Sequence, residues 1–167
     1  MRHYLLLFAL ATAVLTTVAT HASVSAAPKA RQKREARDQE SRVRMKDLPP
    51  AVQQTVREQS KGAVIRGLSR ETEKGVTNYE VELRVGDHNK DVLISPSGEV
   101  VEIEEQVTLA SLPPAVKTTI EQNAGRGKIV SIESITKDTT ITAYEAHVRG
   151  ARKSREIKVS AEGQLIH

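Results

Sequence analysis

The stretch Leu48-Pro49-Pro50-Ala51-Val52 returns intact as Leu112-Pro113-Pro114-Ala115-Val116, 64 residues further on. Five identical residues, two of them prolines, at one long interval mark two copies of a supersecondary unit rather than one large fold. Tandem prolines ahead of an apolar residue suit a helix start, where their missing N–H groups cost nothing. Each copy therefore predicts a helix, from about Pro49 to Ser60 and from about Pro113 to Asn123. Val52 and Val56 continue the apolar stripe begun by Leu48, and Gln59 completes that face; Val116 and Ile120 extend Leu112. Asp47 and Ser111 stand where a helix dipole or cap would use them. Gly62 and the Gly125-Arg126-Gly127 run end the two helices.

Strand signals follow each helix. In the first copy they cover 63–72, 78–85, 91–95 and 99–104, separated by turns at 73–75, 86–89 and 96–98. Tyr79, Val81, Leu83 and Val85 alternate with Glu80, Glu82 and Arg84, so one face is apolar and the other charged. The second copy predicts strands at 128–136, 140–149, 155–160 and 164–167. Tyr144-Glu145 answers Tyr79-Glu80, and Ser160-Ala161-Glu162-Gly163 answers Ser95-Pro96-Ser97-Gly98, now 65 residues apart. One residue has been inserted, most simply in the first hairpin turn of the second copy. The expected fold is α+β: two tandem repeats, 47–106 and 107–167, each one helix on a four-stranded antiparallel meander.

The first 26 residues have the three-part pattern of a secretory signal peptide: Arg2 and His3, an apolar run from Tyr4 to Val18, then small residues. That run is shorter than the roughly 20 residues of a spanning helix, so cleavage after Ala26 is expected in preference to retention as an anchor. The mature protein would be periplasmic or secreted. Removing the segment takes away one cation and no anion, leaving +3 of the chain's +4. With no cysteine, neither disulfides nor a lipid-bearing cysteine are available. Residues 27–46 are rich in Lys and Arg and poor in apolar side chains, and read as a flexible basic linker. Arg31, Lys33, Arg34 and Arg37 could hold an anionic polymer or lipid surface. Nucleic acid is disfavoured by export and by only four aromatic side chains.

The Leu-Pro-x-Ala-Val helix start, the Tyr-Glu strand and the strand ending in Ser-x-x-Gly, all occurring twice, resemble the PepSY-like, or beta-lactamase-inhibitor-like, family. The resemblance runs from about Asp47 to the C-terminus. It implies a secreted or periplasmic helix-on-sheet module, with tandem copies placing their sheets side by side. Related domains occur in propeptides of metalloproteases, which implies an inhibitory role; with no H-E-x-x-H, this chain would act in trans.

No catalytic site, cofactor site or metal site is read. Glu80 and Glu82, with Glu145, could form a carboxylate pair for acid–base work, but with Arg84 and Arg149 beside them a charged strand face with cross-strand ion pairs is expected. His147, between Ala146 and Val148, reads as an exposed histidine in preference to a ligand. Asp87, Asn89 and Asp91 open like a calcium loop, but Val92 and Gly98 break the pattern at its sixth and twelfth positions. The reading is a non-enzymatic exported binding module, inhibitor-like or regulatory. It would engage a protein or peptide partner through Glu80, Glu82, Arg84, Glu145, His147 and Arg149. The alternative is an envelope-associated structural protein held by the basic segment.

Overall fold

The computed structural model describes residues 40–166 apart from residue 74. The expected signal peptide, most of the basic linker and Arg31, Lys33, Arg34 and Arg37 lie outside the described residues. Strands β1 (Ser41–Arg42), β2 (Val64–Glu73), β3 (Val76–Val85), β4 (His88–Ile94), β5 (Val100–Gln106), β6 (Lys128–Lys137), β7 (Thr140–Arg149), β8 (Ser154–Ser160) and β9 (Leu165–Ile166) form one antiparallel sheet in chain order. Helix α1 (Pro50–Gln59) precedes β2 and α2 (Pro114–Ala124) precedes β6. Among the described residues the protein is thus α+β, with nine strands and two α-helices. Ile103 to Gln106 pair with Thr136 to Glu133, which fuses the halves into a single sheet.

Both helices lie on one face of that sheet. Leu48, Val52 and Val56 pack on Val81, Leu83, Val92 and Ile94, and Leu112, Val116, Ile120 and Ala124 pack on the corresponding residues around Tyr144, Ala146, Ile157 and Val159. Full burial of each of the Val, Leu and Ile side chains contributes about 1.5–3 kcal/mol. Gln59, the predicted fourth residue of the α1 stripe, receives a hydrogen bond from Lys90 Nζ at 3.4 Å instead of entering the core.

The two motifs that reveal the duplication meet in space. Gly98 and Gly163 occupy positive φ, +88° and +93°, and a Cβ on either would lie 2.9 Å or less from Ala51 or Ala115. Thr55 Oγ1 donates to the Gly98 carbonyl at 2.6 Å, and Thr119 Oγ1 to that of Gly163 at 2.7 Å. The alanine of each Leu-Pro-Pro-Ala-Val is therefore the seat on which the glycine turn rests.

Several boundaries differ from expectation. Residues 41–46 are not linker: Ser41 and Arg42 pair with Arg70 and Ser69, and Val43 and Met45 pack against the first core. Met45–Asp47 and Leu109–Ser111 form short 3-10 turns before the prolines. Neither Asp47 nor Ser111 caps a helix; Asp47 accepts from Arg44 Nε at 2.6 Å, and Ser111 bonds back to Thr108. The N-cap positions are Pro49 and Pro113. Strand β4 starts at His88, so Asn89 and Asp91 are regular strand residues opposite Arg84 and Glu82, not a loop around an ion.

The inserted residue is also elsewhere. Strands β6 and β7 are separated only by Asp138 and Thr139, and the pairing jumps from Ile135–Ala143 to Thr136–Ile141, leaving Thr142 as a bulge in β7. The Thr142 carbonyl accepts from Ala161 N at 3.2 Å and its Oγ1 donates to the Ile135 carbonyl at 3.2 Å, so the extra residue keeps polar partners. A bulge absorbs one residue without changing the turn. The turn itself holds Asp138 at φ +48° and Thr139 at φ +68°, a left-handed conformation that a β-branched residue adopts at a cost. Thr139→Gly is expected to raise stability by about 1 kcal/mol, read as a higher midpoint in thermal unfolding.

Candidate functional site

Residues paired across neighbouring strands share a face, so the register identifies every side chain opposite the helices. Glu80, Glu82 and Arg84 lie on this open face, as predicted, opposite Leu93, Asp91 and Asn89 of β4. Glu145, His147 and Arg149 lie on it too, opposite Lys158, Glu156 and Ser154 of β8. The structure does not gather these six residues into one patch: three sit on β3 and three on β7, with β4, β5 and β6 between them. What fills that interval is acidic. Asp91 pairs with Glu104 and Leu93 with Glu102, while Glu133 of β6 sits opposite Glu145.

Glu71, Glu80, Asp91, Leu93, Glu102 and Glu104 line a cavity of about 230 Å³ on this face. Its carboxyls repel one another in a half-dehydrated setting. Burial, followed by a hydrogen bond with Glu71 and the charges of Asp91, Glu71 and Glu82, pushes Glu80 up to about 8. Burial and the charges of Glu133 and Glu82 push Asp91 up to about 6, against a lowering hydrogen bond from the Leu83 backbone. Glu104 rises to about 7 through burial and the charges of Glu102, Glu133 and Glu145, with Lys158 opposing.

Among the described residues, few cations answer this charge. Lys137 Nζ holds Glu102 at 2.7 Å, which raises the lysine's own pKa, and Lys158 approaches Glu145 only to 3.8 Å. Arg84 donates to Asn89 Oδ1 at 3.0 Å, so the expected ion pairing falls to the two lysines rather than to this arginine. Glu82 lies over Gly67, where a Cβ would come within 2.7 Å of its carboxyl carbon. Ser69 pairs with Glu80 and shares its face, is only 3% exposed, and its Oγ has no hydrogen-bond partner.

Sequence reasoning missed Glu71, Asp91, Glu102, Glu104 and Glu133 as members of this site. The alternation Glu102-Ile103-Glu104 carried the signal for β5, but only the pairing register shows that it adjoins Asp91. His147 is also less isolated than expected, since carboxylates of Glu133, Glu145 and Glu156 surround its ring.

One face carrying two helices, the other a half-buried carboxylate cluster with a shortage of cations, defines a single-sheet α+β protein with an acidic open face. The chain belongs to the PepSY-like, beta-lactamase-inhibitor-like family, whose pattern matches residues 34–100 and again 77–167. Solved structures share the fold at low identity. A Bacteroides eggerthii protein provisionally described as periplasmic is 16% identical, with a TM-score of 0.59 over 72% of this chain and 86% of its own. A BLIP-like protein from Bacteroides fragilis is 20% identical, TM-score 0.53, over 72% and 84%. A DUF2874 family protein from Bacteroides uniformis is 15% identical, TM-score 0.57, over 72% and 87%. No curated protein matches the sequence.

Proposed function

We propose that this chain is an exported, non-enzymatic binding module whose open sheet face takes a cationic segment of a protein or peptide partner. The observation that carries the reading is the carboxylate cluster on β2 to β5, three of whose members are held well above the ordinary range. A lysine or arginine side chain entering there would relieve repulsion already present in the free protein, and complementary charge sets register and on-rate. Glu80 and Glu82 would meet the cation, with Arg84 framing the β3 side. Glu145, His147 and Arg149 would extend the contact toward the C-terminal half.

The two halves, 47–106 and 107–167, are read as tandem copies of one helix on a four-stranded meander. The matching Thr55–Gly98 and Thr119–Gly163 bonds support this. A place outside the cytoplasm is supported by the leader-like first 26 residues and by the description of the Bacteroides eggerthii relative as periplasmic.

The face is tested by placing a photo-crosslinking residue at Glu82 or Glu145 on the sheet and, separately, at Glu58 or Lys117 on the helices, then irradiating exporting cells. Adducts at the sheet positions alone are expected. Adducts only from the helices would overturn the proposal.

A further inference from the structure

The ring of His147 lies among three carboxylates contributed by three adjoining strands. Glu133 Oε2 stands 3.3 Å and Glu145 Oε1 3.9 Å from its Nε2, and Glu156 Oε1 stands 3.9 Å from its Nδ1. A neutral imidazole has one N–H and one lone pair, whereas ionised carboxylates only accept. Three adjoining strands create this arrangement: Glu145 and His147 are two apart on β7 and point the same way, Glu133 faces Glu145 from β6, and Glu156 faces His147 from β8.

We propose that Glu145, His147 and Glu156 form a binding site for a divalent cation of the zinc type, with Glu133 beside the same ring. One ligand atom from each of the three residues lies within 4.8 Å of the others. Ligands at roughly 2.0–2.2 Å from a tetrahedral zinc are about 3.4 Å apart, so the three ligand atoms, all within 4.8 Å of one another and with Glu145 Oε1 at 3.9 Å from Nε2, close on an ion by side-chain rotation. The metal takes the lone pair of one ring nitrogen and leaves the other as an N–H that can donate to a neighbouring acceptor, the second contact by which metal-bound histidines are oriented. Lys158 holds Glu145 only at 3.8 Å and can swing aside. An imidazole among carboxylates selects zinc, nickel or copper over calcium, which takes oxygen ligands alone. This site stands apart from the Glu80 cavity: its residues are on β6 to β8, and it does not depend on the cationic-partner proposal.

The test is calorimetric titration of ZnCl2 into the untagged full chain, with the His147 ring followed by NMR. One equivalent is expected to bind with a shift of the His147 ring signals, and His147→Ala is expected to weaken binding at least tenfold. The Glu145→Gln/Glu156→Gln variant, which keeps the imidazole, should weaken it comparably. His88→Ala serves as control, because His88 packs on the helix side against Glu105 at 2.9 Å. All these side chains are partly exposed and lie outside both cores, so amide spectra should confirm intact folding. Zinc affinity unchanged by His147→Ala, equal loss in His88→Ala, or calcium binding with the same His147 dependence would overturn the proposal.

Discussion

Gly98→Ala and Gly163→Ala are each expected to lower stability by about 3 kcal/mol, roughly a 10 °C fall in the unfolding midpoint. Two costs combine. A residue with a Cβ pays about 1–2 kcal/mol for the left-handed conformation that the glycines hold at φ +88° and +93°. The new methyl would also stand 2.9 Å from the Ala51 backbone, or 2.7 Å from the Ala115 Cβ, so the turn or the first turn of the helix must move. Moving the turn stretches the short hydrogen bonds from Thr55 and Thr119 to the glycine carbonyls. Gly75→Ala separates the two costs, because Gly75 has φ +81° but open space around it; it should lose only about 1 kcal/mol. Equal losses at all three glycines, measured by chemical denaturation, would show that the turn-on-helix seat contributes nothing.

The second large effect is a stability that falls as pH rises. The ordinary values for glutamate and aspartate are 4.5 and 3.8, whereas Glu80, Glu104 and Asp91 in the folded protein stand at about 8, 7 and 6. Below about pH 4 both folded and unfolded states hold these protons, and the groups contribute no difference. As pH climbs from 4 toward 8 the unfolded chain releases protons that the folded chain keeps, so the unfolded state is favoured progressively; above about 8 the penalty is complete. All three groups are partly solvated, so screening reduces the effect, and about 3 kcal/mol for the set is expected. Thermal unfolding should show a higher midpoint near pH 5 than near pH 8.5. Glu80→Gln/Glu104→Gln should flatten that slope, raising the midpoint at pH 8.5 while leaving it nearly unchanged near pH 4.5, where the native carboxyls are already neutral.

Much of this architecture is legible in the chain because local signals agree with packing. The paired prolines start each helix within one residue of where expected, and Tyr79, Val81, Leu83 and Val85 read directly as a core-facing row. The site was less legible for a physical reason. Alternation assigns Glu80 and Glu82 to the polar face of one strand, but it does not say which carboxylates of β4 and β5 lie beside them. That depends on the two-residue Gly86-Asp87 turn, which starts β4 at His88, and on the irregular pairing near Ile94. The bulge at Thr142 was invisible for the same reason: the 65-residue spacing reveals an extra residue, but only strand pairing places it. Arg84 and Arg149 lie on the open face with the glutamates, yet three strands separate them.

If the open face binds cations as proposed, its acidic groups should trade stability against affinity. The decisive measurement is titration of a short polylysine peptide into the wild-type chain and into Glu80→Gln/Glu104→Gln at pH 7.5, followed by amide NMR at low and moderate salt. Shifts confined to the open face of β2 to β5, weakened by salt and reduced at least tenfold in a variant that is more stable than the wild type, are the predicted result. Shifts centred on α1 and α2, or an affinity untouched by removing both carboxylates, would contradict it.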